Sequence, residues 1–158
     1  MVTHIPNHTQ APRTLEKSGM ENSQTPRRKK ILIIEDEYSA SKFLSFRLKK
    51  LGFEVTAAFD GMTGLKEAME KIPDLVVLDL MIPKLPGEEV CKAIRESFDE
   101  QISKIPIIML TGKDSMVDRI LGKVIGANAY LTKPYEFSDF LDALKKIFPD
   151  LSAELTSL

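Results

Sequence analysis

Asp79 stands at the end of an apolar run, Leu75 to Leu78, within the stretch DLVVLDLMIPKLPG. A run of apolar and β-branched residues of this length reads as a strand buried on both faces. It delivers a lone carboxylate to a point where Pro83, Pro86 and Gly87 force the chain to turn. Other polar residues occupy the equivalent place after other apolar runs. Glu35 and Asp36 follow Ile31 to Ile34, Thr111 follows Ile105 to Leu110, and Lys133 comes shortly after Ala129 to Leu131. Singly, each has an ordinary reading as a turn residue, a strand-ending β-branched residue or a surface lysine. Together they form a chemical set. Three carboxylates at one edge repel one another unless a cation sits among them. Mg²⁺, or Mn²⁺ in its place, suits oxygen donors, whereas zinc would want His or Cys. The only histidines, His4 and His8, lie far away near the N-terminus. With a divalent ion and Lys133 the formal charges cancel. A carboxylate flanked by two cations is equipped to attack a phosphoryl group, because both neutralise charge on the transferring oxygens. Thr111 adds a hydroxyl donor for one more oxygen.

These residues must be brought together by one folded unit. A chain of 158 residues holds one domain with a real core and is too short for two of ordinary size. A formal net charge of -1 with 43% hydrophobic residues gives no basis for binding nucleic acid directly. No apolar run has the length of a membrane span and the N-terminus lacks a signal-peptide core, so a cytoplasmic location is expected. The single cysteine, Cys91, shares a helical stripe with Val90 and Ile94 and reads as core. Residues 1–28 are rich in Thr, Pro, Asn, Gln and Ser and predict a disordered tail. The folded domain is expected over 29–148, and 149–158 as a C-terminal tail with no output domain attached. The basic run Arg27 to Lys30 reads as a solvated approach to the first strand, since no aromatic residues interleave it.

From Lys30 onward strand and helix patterns alternate. After Ile31 to Ile34, a helical stripe runs through Ala40, Phe43, Leu44, Leu48 and Leu51 to a stop at Gly52. Phe53 to Ala58 is a second strand, and Met62, Leu65, Ala68, Met69 and Ile72 predict the core face of a second helix. The strand ending at Asp79 leads to a third helix through Val90, Ala93, Ile94 and Phe98. Ile105 to Leu110 is the fourth strand, a weaker helix follows over about 114–125, and Ala129 to Leu131 is the fifth strand. A last helix has Phe137, Phe140, Leu141, Leu144, Ile147 and Phe148 on one face and Asp139, Asp142, Lys145 and Lys146 on the other. Strands alternating with helices imply an α/β fold, a doubly wound five-stranded parallel sheet with helices on both faces. Ligands bind such sheets outside the carboxyl ends of the strands, which is where the chemical set falls.

Four motifs in this order and spacing, ILIIEDE, LVVLDLMIPKLPG, PIIMLTGK and AYLTKP, resemble the receiver domain of two-component response regulators. The resemblance covers about Lys29 to Phe148. It implies a flavodoxin-like sheet of strand order 2-1-3-4-5 and a phosphorelay role in which Asp79 is the phosphoacceptor. It further implies Asp36 as a direct Mg²⁺ ligand, Glu35 as a ligand acting through water, and Met81 as the donor of a backbone carbonyl to the metal. Thr111 and Lys133 match the phosphoryl-sensing hydroxyl and lysine, Tyr130 the switch aromatic, and Lys133–Pro134 a cis peptide. The partners implied are a histidine kinase or histidine phosphotransfer protein and a downstream protein. The latter would be met by the fourth helix, fifth strand and fifth helix, with the chain a monomer or a phosphorylation-dependent dimer. Its chemistry would be its own phosphorylation and slow dephosphorylation, not turnover of a separate substrate. Two other readings stay open on the residues. A haloacid dehalogenase-like phosphohydrolase would want a second acid where Met81 stands, and a non-phosphorylated scaffold would be expected to have lost a site residue. A flavodoxin-type carrier fits poorly, because EDEYSAS puts acids where a phosphate would go.

Overall fold

The structure, a computed structural model, describes residues 27–112 and 126–157. The helix expected over 114–125 and most of the expected N-terminal tail, with His4 and His8, lie outside the described residues. Five parallel strands form one sheet: β1 (Lys30–Ile34), β2 (Glu54–Ala58), β3 (Leu75–Asp79), β4 (Ile107–Thr111) and β5 (Ala129–Thr132). Their order is β2-β1-β3-β4-β5, so β3 is central and the two crossovers leaving its neighbourhood run in opposite directions. The helices are α1 (Tyr38–Lys50), α2 (Gly61–Lys71), α3 (Gly87–Arg95), a short α4 (Glu100–Ser103), α5 (Phe137–Ile147) and a terminal α6 (Ser152–Thr156).

The near-continuous apolar strands feed two cores, one on each face, because successive side chains point to opposite sides. Ile31, Ile33, Leu75, Val77, Ile108 and Leu110 meet Leu44 and Leu48 of α1 and Phe140 and Leu144 of α5. Leu32, Ile34, Val76, Leu78, Ile107 and Met109 meet Ala68 of α2 and Val90, Cys91 and Ile94 of α3. Cys91 is fully buried.

Two helix faces differ from expectation. On α2, Met62 and Met69 are exposed, and the buried positions are Gly61, Gly64 and Ala68. Small residues bring this helix close to the sheet: a Cβ at Gly64 would overlap the Ile34 side chain. The methionines are left on its flanks. Phe43 of α1 and Phe98 beyond α3 are likewise exposed; on α1 Ser41 takes a buried position, while on α3 Val90, Cys91 and Ile94 form the buried face as expected. The residues after Phe148, expected as a tail, form a 3₁₀ turn, Pro149–Leu151, and then α6, whose Leu155 is buried in the core beside α5. No described helix is long and apolar enough to cross a membrane.

Candidate functional site

β1 and β3 are neighbours, so their carboxyl ends bring Glu35, Asp36 and Asp79 together. One carboxylate oxygen from each lies within 4.8 Å of the others. Two ligands on opposite sides of a magnesium ion stand about 4 Å apart, so this spacing suits one hard cation that keeps some of its waters. Glu35 and Asp79 are 2% and 4% exposed, which leaves Asp36 as the acid facing solvent.

Lys133, just past β5, reaches back over the edge of the sheet. Its Nζ donates to Asp79 Oδ2 at 2.6 Å and also to Glu35 Oε2. The other carboxylate oxygens are held by backbone. Met81 N–H donates to Asp79 Oδ1 at 2.8 Å, and Glu37 N–H to Glu35 Oε1 at 3.0 Å. Both carboxylates are thereby fixed in orientation. The Lys133–Pro134 peptide is cis.

Burial pushes the Glu35 carboxyl above its ordinary value. Hydrogen bonds from Lys133 and Glu37 offset only part of this, and the Asp79 charge adds to it. For Lys133, burial is the largest influence and pulls downward, yet hydrogen bonds and charge from Asp79 and Glu35 together hold its ammonium above the ordinary lysine value. The site thus keeps a charged lysine beside an acid reluctant to ionise. Such tension is relieved by a further cation.

Thr111, the last residue of β4, is 2% exposed and lies opposite Thr132 of β5. Tyr130 lies opposite Met109, two residues before the end of β5. Since side chains alternate along a strand, Thr111 and Tyr130 share one face of the sheet, one step apart. Met81, whose side chain is exposed, contributes its backbone N–H to Asp79.

One residue of the site carries a role that sequence reasoning missed. The sequence places Gly87 in a turn, yet it is the first residue of α3 and packs on the end of β3. A Cβ there would collide with the carbonyl oxygen of Asp79 and with Leu80 Cα. Only glycine lets α3 begin this close to the carboxylate strand. The signal was present as a glycine following a proline, but the same pair marks ordinary turns.

A doubly wound parallel sheet with an acidic triad and a reaching lysine at the carboxyl end of its central strands sets these groups where α/β proteins of this class bind their ligands. The sequence profile described as the response regulator receiver domain matches residues 31–145, and this chain belongs to that family, the receivers of two-component systems. It is 47% identical over 107 residues to the alkaline phosphatase synthesis transcriptional regulatory protein PhoP of Bacillus subtilis (strain 168), covering 68% of this chain and 43% of that protein. The chain therefore spans under half the length of that relative. Among solved structures it is similar to the chemotaxis response regulator CheY4 of Vibrio cholerae, with TM-score 0.71 and 31% identity over 77% of this chain and 100% of that one. It is also similar to the receiver domain of the sensor histidine kinase PA1611 of Pseudomonas aeruginosa PAO1, with TM-score 0.69, 28% identity and coverage of 76% and 97%. That structure holds a magnesium ion in its active-site cleft.

Proposed function

We propose that Asp79 accepts a phosphoryl group from a phosphohistidine on a histidine kinase or phosphotransfer protein. A carboxylate oxygen of Asp79 attacks phosphorus, the bond from phosphorus to the histidine nitrogen breaks, and the imidazole leaves. The supporting observation is the convergence of Glu35, Asp36 and Asp79 within 4.8 Å together with the Lys133 ammonium 2.6 Å from Asp79. Glu35, Asp36, Asp79 and the Met81 carbonyl are the donors suited to Mg²⁺. When bound, that ion supplies positive charge to the phosphoryl oxygens. Lys133 orients Asp79 and stands ready to neutralise a second oxygen. Thr111 offers its hydroxyl to a third. The exposed methionine at position 81 leaves no acid there for a hydrolase that turns over a separate substrate.

The switch follows from the shared face of Thr111 and Tyr130. A phosphoryl group on Asp79 offers Thr111 a charged acceptor, an interaction worth roughly 1.5 to 3 kcal/mol. The Tyr130 hydroxyl is already buried in this structure, so drawing Thr111 toward the site would change the packing around a ring that stands inward. This alters the surface formed by β5 and α5, where a downstream protein would distinguish the two states.

Incubation with acetyl phosphate and Mg²⁺ should add one phosphoryl group to the wild-type chain and none to Asp79→Asn, and chelation should stop the labelling. Label persisting in Asp79→Asn would place the acceptor elsewhere. Thr111→Ala should still be labelled but show reduced amide NMR shifts around Tyr130 and α5 on adding beryllofluoride. Shifts of wild-type size would remove the switch and leave the acceptor in place.

A further inference from the structure

On the face of the sheet covered by α1 and α5, a cleft of about 430 Å³ opens between the two helices just behind the acidic site. Ile33 and Leu110, both buried, form its floor. Ala40 and Leu44 stand on the α1 side and Tyr135 and Phe137 on the α5 side. The volume is that of a site for a small organic molecule, and the apolar lining is typical of one.

Its polar groups are few and placed together. Ser41 lines the cleft, is 2% exposed, and its hydroxyl has no hydrogen-bond partner among the described residues. In a helix a serine commonly turns its hydroxyl back to the carbonyl four residues earlier. Here that carbonyl, Glu37 O, accepts only the Ser41 backbone N–H among the described hydrogen bonds. A buried hydroxyl left in this way costs stability, and a ligand that could pair with it would recover the loss. The remaining charged walls are Glu35 and Lys133, which pair with one another, and Glu37, which is exposed to solvent. An anion would be repelled by Glu35 and a cation by Lys133. Toward the outside, Phe43 and Phe137 flank the cleft, and the Arg47 guanidinium lies over both rings, 4.2 Å from the centre of Phe137 and 5.8 Å from that of Phe43. This joins α1 to α5 across the cleft.

We infer that this cleft binds a small, uncharged, ring-bearing molecule carrying one hydroxyl or carbonyl group, with the ring against the apolar walls and the polar group on Ser41. The site does not depend on whether Asp79 accepts phosphate. A bound ligand would rest against the wall formed by Lys133, the residue that also holds Asp79.

The test is an amide NMR titration of the full chain with phenol, and in parallel with toluene, which has the same ring and no hydroxyl. Phenol should produce saturable shifts at Ala40, Ser41, Leu44, Leu110, Tyr135 and Phe137. Ser41→Ala should weaken phenol about fivefold, the effect of one neutral hydrogen bond, and leave toluene unchanged. Ala40→Leu should fill the cleft and remove the binding of both while amide dispersion is retained. Absence of saturable shifts, or shifts centred elsewhere, would overturn the site. Equal weakening of phenol and toluene by Ser41→Ala would overturn the role given to the hydroxyl. If Ala40→Leu does not fold, the contrast between phenol and toluene still decides.

Discussion

The two ends of the sheet treat charge in opposite ways. At the carboxyl end, Glu35, Asp36 and Asp79 crowd together with one lysine to share. At the amino end, side chains that precede one strand cap the first donor of its neighbour. Asp74, just before β3, accepts the Lys30 N–H of β1 at 2.7 Å and pairs with Arg27. Asn128, before β5, accepts the Ile107 N–H of β4 at 2.9 Å. Arg95, at the end of α3, donates to the carbonyls of Gly126, Ser103 and Ile105 and to Asn128 Oδ1. One end is satisfied by its own groups. The other is arranged around what it must take up, and such sites are expected to reduce stability.

The largest effect should come from opening the satisfied end. Arg95→Ala removes four donated hydrogen bonds and leaves half-buried carbonyls without partners. A loss of about 3 kcal/mol is expected in chemical denaturation. A loss under about 1 kcal/mol would show that water replaces the guanidinium at little cost.

At the opposite end, addition should stabilise. Mg²⁺ at a hundredfold excess over its dissociation constant should add about 2.7 kcal/mol to the wild-type chain. Asp79→Asn should lose most of this gain. A gain unchanged in that variant would place the ion elsewhere.

Neutralising one acid without metal should have a smaller effect. The folded-state pKa of Glu35 is raised above its ordinary value of 4.5, so the folded chain holds a proton that the unfolded chain releases. Stability therefore falls as pH rises through the window between the ordinary and the raised value. Glu35→Gln should be more stable than wild type by on the order of 1 kcal/mol at neutral pH without metal, and equal to it below the ordinary glutamate value. Lys133 gives the same direction of pH dependence, in a different window. Its pKa is raised above 10.5, so its contribution is full below that value and is lost at higher alkaline pH. A variant no more stable than wild type at neutral pH would mean that the Lys133 contact outweighs the cost of burying the Glu35 charge.

Sequence reading found one end of the sheet and not the other, for a physical reason. Asp79, Glu35, Thr111 and Lys133 are conspicuous because each interrupts or closes an apolar run, so the topology alone collects them at one edge. Arg95, Asp74 and Asn128 lie in ordinary polar stretches and have meaning only through partners up to 47 residues away. Their pairing is fixed by tertiary distance, which carries no local pattern. The strands were legible for the same reason as the site, whereas the faces of α1 and α2 were not. Gly64 and Ala68 define the buried side of α2 by being small enough to approach Ile34, and a hydrophobicity pattern ranks Met62 and Met69 above them.

The smallest expected effect tests whether the amino end owes its order to charge or to hydrogen bonding. Arg27 meets both oxygens of Asp74, at 2.9 and 3.1 Å, but its side chain is 68% exposed. Exposed pairs of this kind contribute about 0 to 1 kcal/mol and are screened by salt. The Lys30 N–H bond to the same carboxylate is shorter and partly buried. Its loss strands the first donor of β1. Arg27→Ala should therefore cost under about 0.5 kcal/mol and Asp74→Ala about 1 to 1.5 kcal/mol. In a double-mutant cycle the coupling should stay below about 0.5 kcal/mol and vanish near 1 M salt. A coupling above about 1 kcal/mol that survives salt would mean that the ion pair itself anchors the strand, and that charge orders both ends of the sheet.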